Sequence, residues 1–484
     1  MIMKKLIYVI ISMALVFMVT SCEDFLKENA KSSITPENSF QSADDWDAAL
    51  IAAYAKLQEV TGEKFPIVLG EFGTDEVQPF DLSWAAYVEL MYYTYTAEHP
   101  FLYNHYVFCY EGVKCANIIL DMPEDAPVTS EERTSLIAQA RFLRGTFYFE
   151  LVRMYGRVPL WTSSSIDKNK ISKPRSESVD EVYELIISDM QFAADNLPET
   201  WTANEDKGRA TSHAANALLG RIYLQWGKSS EAINALNKVI GKFHLYSNYA
   251  DIFSPEHKNE GYENIFEVQW SHSGHWGLEG SLQSSYWGPR GGGGPTAGGF
   301  GWGGFGATRY LYDSYENNDK RKTEFFWTEY KGIVQNPPAI KKYYDANYGN
   351  QIEDDDLNYI YIRYADVLLM ASEALNNLND ASGKKYDYLN EVRNRAELAD
   401  ITANDGLSVS AFSDVLLEER LHELCCERHR RFDLIRFGKL NDQVQAAYPG
   451  LGITIGPNQA TVYPVPQVAI DANDAMKGDQ NSGY

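Results

Sequence analysis

Cysteine is scarce: five thiols in 484 residues are too few for a disulfide scaffold. Cys109 and Cys115 are six apart, so in a helix they fall on different faces and do not pair. Cys425 and Cys426 are adjacent; the expectation is buried free thiols. Basic residues are also short, with 43 Lys and Arg against 67 Asp and Glu, a net charge of −24. A field of that sign repels nucleic acid and anionic lipid surfaces and favours neutral or cationic ligands. Beyond Leu6–Val19 no stretch approaches the roughly 18 apolar residues of a membrane-spanning helix. Reaction signatures are missing too. There is no G-x-S-x-G elbow and no complete Walker motif, and no family signature surrounds any cysteine.

What is abundant is aromatic: 32 Tyr, 22 Phe and 10 Trp. That exceeds the needs of a core and predicts a surface that uses rings. The N-terminus is equally informative. Lys4-Lys5 precedes the apolar run Leu6–Val19, interrupted by Ser12, and then Val19-Thr20-Ser21-Cys22. A short apolar region ending in small residues is an export signal. Val19–Cys22 resembles a bacterial lipobox, in which the cysteine thiol takes the diacylglycerol as a thioether and becomes residue one. The predicted organisation is a signal peptide over 1–21, a lipidated polar tether over 22–40 and one domain over 41–484. Losing Lys4 and Lys5 brings the mature charge near −26. Several acyl chains make a stable anchor where one is marginal. Glu23-Asp24 resembles the surface-export signal of Bacteroidetes lipoproteins.

Most of the chain has helical periodicity. Trp46, Leu50, Ala53, Tyr54 and Leu57 share a stripe over 44–58, with Ser42 as N-cap. Ala140, Leu143, Phe147, Leu151 and Met154 share another over 138–155. Residues 179–196 form a helix ended by Pro198. Residues 212–226 and 231–240, joined by a short turn, resemble a tetratricopeptide unit; 363–376 with 384–396 is a second pair. No regular 34-residue period runs through the chain. The stretch 270–306 differs: it is rich in Gly, Ser, Trp and Tyr and contains Gly291–Gly294, a long loop insertion on a helical frame.

Seven segments carry a family resemblance. They are ITPENSFQSADDWDAALIAAYAKLQ (34–58), ARFLRGTFYFELVRMYGRVPL (140–160), GRATSHAANALLGRIYLQWGK (208–228), YIRYADVLLMASEALN (361–376), LNEVRNRAEL (389–398), LLEERLHELCCERHRRFDLIRFGKL (416–440) and VYPVPQVAIDAN (462–473). Together, in this order, they resemble the SusD/RagB family of outer-membrane nutrient-binding lipoproteins. The resemblance implies a mainly α fold, with degenerate tetratricopeptide-like pairs beneath a loop-rich binding face. It implies a lipid-anchored location on the cell-surface side of the outer membrane, and a SusC-like TonB-dependent transporter as partner. It implies a glycan ligand in most members and a peptide in a minority. The ending Asn481-Ser482-Gly483-Tyr484 departs from the Asn-Pro-Gly-Tyr-like ending expected.

The dense charges Arg141, Arg144, Glu419, Arg420, Glu423, Glu427, Arg430, Arg431, Asp433 and Arg436 are read as salt bridges between packed helices rather than as catalytic carboxylates. His422, Cys425 or Cys426, and His429 would share one face of a continuous helix with zinc-binding chemistry, but one helix rarely completes a tetrahedral set, so no metal is expected. Gly301, Gly303 and Gly306 spell G-x-G-x-x-G without the preceding strand that a dinucleotide site requires. Thr308–Lys322 matches the family's helix and Asp-x-Arg segment instead. Asp354-Asp355-Asp356 is read as a solvated acid run, with calcium as the alternative. No cofactor is expected.

Sugars stack their C–H faces on rings and hydrogen-bond planar polar side chains, so a glycan site mixes open aromatics with a few polar groups on loops. Two stretches fit. In the first, Asp75, Gln78, Trp84 and Tyr87 are the candidates. In the second they are Trp276, Tyr286, Trp287, Arg290, Trp302 and Phe305, with Trp276, Trp287 and Trp302 expected to stand open for want of nearby apolar support. Three rival readings are a RagB-like peptide carrier, a tetratricopeptide scaffold without small ligand, and a glycoside hydrolase, which would need paired carboxylates across a cleft.

Overall fold

The computed structural model describes residues 40–62, 69–80, 82–164, 172–272, 280–289, 304–345 and 354–484. Helices dominate, as the periodicity predicts. α1 (Ala43–Thr61) starts where Ser42 Oγ accepts the Asp45 N–H, and Trp46, Leu50, Ala53 and Leu57 are buried along one face. α2 (Ala85–Tyr92) is short. α3 (Pro100–Leu120) begins with the proline at a position where no N–H is needed. α4 (Ser130–Tyr155) is longer than its apolar stripe suggests. A capping box between Thr129 and Glu132 starts it, and every residue from Ala140 to Tyr155 except Arg141 is buried. Such a helix is enclosed on all sides. It packs on α3 and on α5 (Val179–Asn196).

The helix pairs form as expected. α6 (Ser212–Gln225) packs on α7 (Ser229–Leu236), and a Cβ at Gly220 would fall 2.3 Å from the Leu236 side chain, so only glycine permits this spacing. α9 (Tyr364–Asn377) packs on α10 (Lys384–Arg395), on α7 and on α11 (Val409–Leu424). α12 (Arg430–Arg436) follows. Among the described residues no helix is long and apolar enough to cross a membrane.

Among the described residues three antiparallel two-stranded sheets tie the loops to this frame: β1 (Val77–Pro79) with β3 (Phe305–Ala307), β2 (Asn264–Val268) with β6 (Tyr359–Arg363), and β4 (Phe326–Tyr330) with β5 (Ile333–Ile340).

The dense charges form a buried ionic lattice. Arg321 reaches Asp319, Glu419 and Glu423; Arg363 reaches Glu263, Glu423 and Glu427; Arg420 reaches Asp366 and Asp433; Arg436 reaches Glu373 and Asp433. Neighbouring guanidinium groups hold Asp433 down at about 2, against the desolvation that would raise it. These residues are framework, as the sequence suggests.

Candidate functional site

The two aromatic-rich stretches meet at one place. β1 and β3 pair so that Gln78 faces Gly306 and Pro79 faces Phe305. Beyond the strands, the Phe80 N–H donates to Gly304 O at 3.0 Å, and the Gly304 N–H donates to Tyr286 O at 3.0 Å. Tyr286 lies in a single-turn helix, α8 (Gln283–Trp287). Asp355 pins the start of that turn: its carboxylate accepts the Ser284 N–H at 2.8 Å and its backbone pairs with Ser281. Burial pushes Asp355 up to about 7.

An aromatic cluster fills the junction. Phe305 packs edge-on against Phe72 and Trp287, and its ring lies 5.3 Å from Tyr87 and 5.2 Å from Tyr286, the last pair stacked. Trp84 lies 5.3 Å from Tyr87. The cluster is graded in exposure: Phe305 and Trp287 are fully buried and Tyr87 nearly so, while Trp84 and Tyr286 are half-buried at its outer edge. Both outer rings lie against Gly304. A Cβ there would meet Tyr286 at 3.1 Å and Trp84 at 3.2 Å. Gln78 and Phe80 are half-buried on the adjoining strand. The result is a pair of partly open rings on a rigid aromatic base, next to the β1–β3 pair that carries Gln78.

Several expectations need correction. Trp287 does not stand open; Phe305 and Tyr343 supply the apolar support that its sequence neighbours lack. Phe305 is core for the same reason, and Tyr87 is 7 % exposed. Asp75 is fully buried, and both its oxygens accept from Arg430, at 2.7 and 2.6 Å. The Thr74-Asp75-Glu76 element is therefore a bolt. Glu71 and Glu76 accept the backbone N–H groups of Arg428 and Cys426, and Asp75 O accepts from Thr308, which fixes β1 to the C-terminal framework. Burial raises Glu76 well above the usual carboxylate range, and the Glu71 charge beside it adds to this. Trp276, Arg290 and Trp302 lie outside the described residues. Gln78, Trp84 and Tyr286 are brought together. Phe80 and Gly304 are the members that sequence reasoning missed; the signal was a glycine directly preceding a strand-forming aromatic, Gly304-Phe305.

The metal candidates come apart. Asp354 and Asp355 are buried rather than solvated, Asp354 beside His272 and Asp356 on Lys258. α11 ends at Leu424, so His422, the two cysteines and His429 do not share a helical face, and His422 pairs with Ser314. Cys109, Cys115, Cys425 and Cys426 are free thiols, as expected. Among the described residues one grouping has ligand atoms close enough for an ion: Glu76, Cys425 and Cys426, all buried.

Residues 24–224 match a family model described as SusD-like, "Starch-binding associating with outer membrane", and residues 335–484 match the SusD family model. SusD-like protein P25 of Formosa agariphila is 28% identical, covering 91% of this chain and 92% of its own. Among solved structures, a laminarin-binding SusD-like protein superposes with TM-score 0.77 at 23% identity, covering 92% of this chain and all of that one. Surface glycan-binding protein A from Bacteroides thetaiotaomicron gives 0.76 at 21%, again over 92% of this chain and all of its own. The first match takes in Gln78 and Trp84, Tyr286 and Gly304 lie between the two matches, and the chain belongs to the SusD/RagB family.

Proposed function

We propose that the protein captures a neutral oligo- or polysaccharide at the Trp84–Tyr286 platform and passes it to a SusC-like transporter in the outer membrane. The observation that carries this is the pair of half-open rings that flank Gly304, with Gln78 on the strand that pairs with Gly306. Open rings take the C–H faces of sugars, and a planar amide takes hydroxyls. A net charge of −24 suits an uncharged ligand. A laminarin-binding protein and a surface glycan-binding protein share the fold, which supports the reading. The role is binding rather than catalysis: Asp75, the one carboxylate among the candidate ligand residues, is spent on Arg430. Trp276, Arg290 and Trp302 are proposed to complete the face.

Gly304→Ala tests the platform directly. The added methyl pushes the two rings apart, and glycan affinity is expected to fall roughly tenfold, about 1.4 kcal/mol, with the melting temperature nearly unchanged. Unchanged affinity in calorimetry would remove the rings from the site.

The same reading places Cys22 as the lipid-bearing residue and 22–40 as a tether beside the transporter. Cys22→Ala is expected to give a folded, glycan-binding protein absent from the cell surface. Surface labelling of intact cells checks this; retained labelling would exclude the anchor.

A further inference from the structure

We propose that a second carbohydrate-binding site lies in the open groove between the α5–α6 connection and the turn before β2; it rests on the glycan-binding reading above. The cavity is about 770 Å³, large enough for several sugar rings, and shares no residue with the Trp84–Tyr286 platform. Its walls pair two aromatic faces with polar groups. Trp201 donates its indole N–H to Ala210 O at 2.9 Å, which fixes the ring while leaving it half-exposed. Tyr262 is 43% exposed yet held: its ring lies 4.7 Å from Tyr246 and 5.5 Å from His244, and its carbonyl accepts the His244 N–H at 2.8 Å. The turn that presents it runs through left-handed residues, Asn259 at φ 57° and Gly261 at φ 68°. An exposed tyrosine on a tight, supported turn is a feature of recognition rather than of packing.

The charges favour a neutral ligand. Lys207, Arg209 and Lys242 line the groove against Glu199, Glu260 and Glu267, and Lys242 sits 3.7 Å from Glu199, so its charges balance. A polyanion or polycation gains little there, whereas hydroxyls find both donors and acceptors. Asn264 in the wall, 8% exposed, has an amide oxygen without a hydrogen-bond partner, an unmet polar group just beneath the groove surface. A polymer that touches both platforms gains avidity that a short oligosaccharide cannot.

The test uses affinity gels containing laminarin, starch, xylan or mannan, with the mature full-length protein and with Tyr262→Ala, Trp201→Ala and Trp84→Ala/Tyr286→Ala. For any polysaccharide that retards the wild type, Tyr262→Ala is expected to weaken retardation about tenfold while leaving calorimetric binding of a short oligosaccharide of the same linkage unchanged. Tyr262 is exposed, so this variant folds whether or not Trp201→Ala does. In the Trp84→Ala/Tyr286→Ala background a weak residual retardation remains, and adding Tyr262→Ala abolishes it. Wild-type retardation in folded Tyr262→Ala and Trp201→Ala overturns the second site and leaves the first intact. Failure of every polysaccharide to retard the wild type overturns both.

Discussion

Glu423→Ala is expected to lower the melting temperature by roughly 3–5 °C, a stability effect matched among the substitutions considered only by Trp287→Ala. Its carboxylate lies wholly inside the protein and is shared by three guanidinium groups, Arg363 at 2.7 Å, Arg395 at 2.6 Å and Arg321 at 3.2 Å. Those cations hold Glu423 far below the usual carboxylate range in spite of its burial. Removing one partner from a buried ion pair costs about 3–5 kcal/mol, because the charges left behind stay desolvated. For a chain of this size each kcal/mol is worth about 1 °C. The same lattice fixes the direction of acid sensitivity. Glu423 and Asp433 have folded values below their unfolded ones, so their stabilisation is complete above the ordinary carboxylate range. It is lost as pH falls through the folded values, Asp433 at about 2. Wild-type stability therefore drops between about pH 4 and 2, and Glu423→Ala flattens part of that drop. A melting temperature within one degree of wild type at pH 7 would show that the lattice is not what holds α9, α11 and the β6 strand together.

Trp84→Ala and Trp287→Ala are expected to fail in opposite ways. Trp287 is fully enclosed by Phe305 and Tyr343, so its loss opens a cavity beneath the platform and costs about 3–5 kcal/mol of stability. Trp84 is half-buried at the rim; its loss removes a stacking face, weakening glycan binding roughly 10–100-fold while shifting the melting temperature little. Calorimetric titration and thermal denaturation of the two variants side by side separate the roles. Equal loss of stability would make Trp84 core as well.

The helical frame was legible because its signals are local. The Ser42 cap, the stripe of α4 and the short turn between α6 and α7 are written in residues a few positions apart. The salt-bridge lattice was legible because so many charges within helix patterns had to be buried in pairs. The site was only half legible. Its two stretches were found by their aromatic content, but the β1–β3 pairing that joins them brings together residues more than 200 positions apart. Which ring is open depends on that pairing. Trp287, flanked by Gly288 and polar neighbours, takes its support from Phe305 and Tyr343, which no local pattern reveals. Asp75 looked like a sugar ligand because the family resemblance places an acidic Thr-Asp-Glu-like element beside the ligand site, yet its partner Arg430 lies 355 residues away. Asp354 and Asp355 looked solvated because three acids in a row usually are; instead they bind the α8 turn and His272.

The central claim, that a neutral glycan binds at the rings flanking Gly304, is tested most directly by one calorimetric series. A panel of neutral oligosaccharides is titrated into the mature protein at low and high salt, and into Trp84→Ala/Tyr286→Ala. The prediction is saturable binding of at least one oligosaccharide, an affinity that barely changes with salt, and no detectable binding by the double variant although it melts near the wild-type temperature. Unaltered binding by the folded double variant, or affinity that collapses with salt, would contradict it.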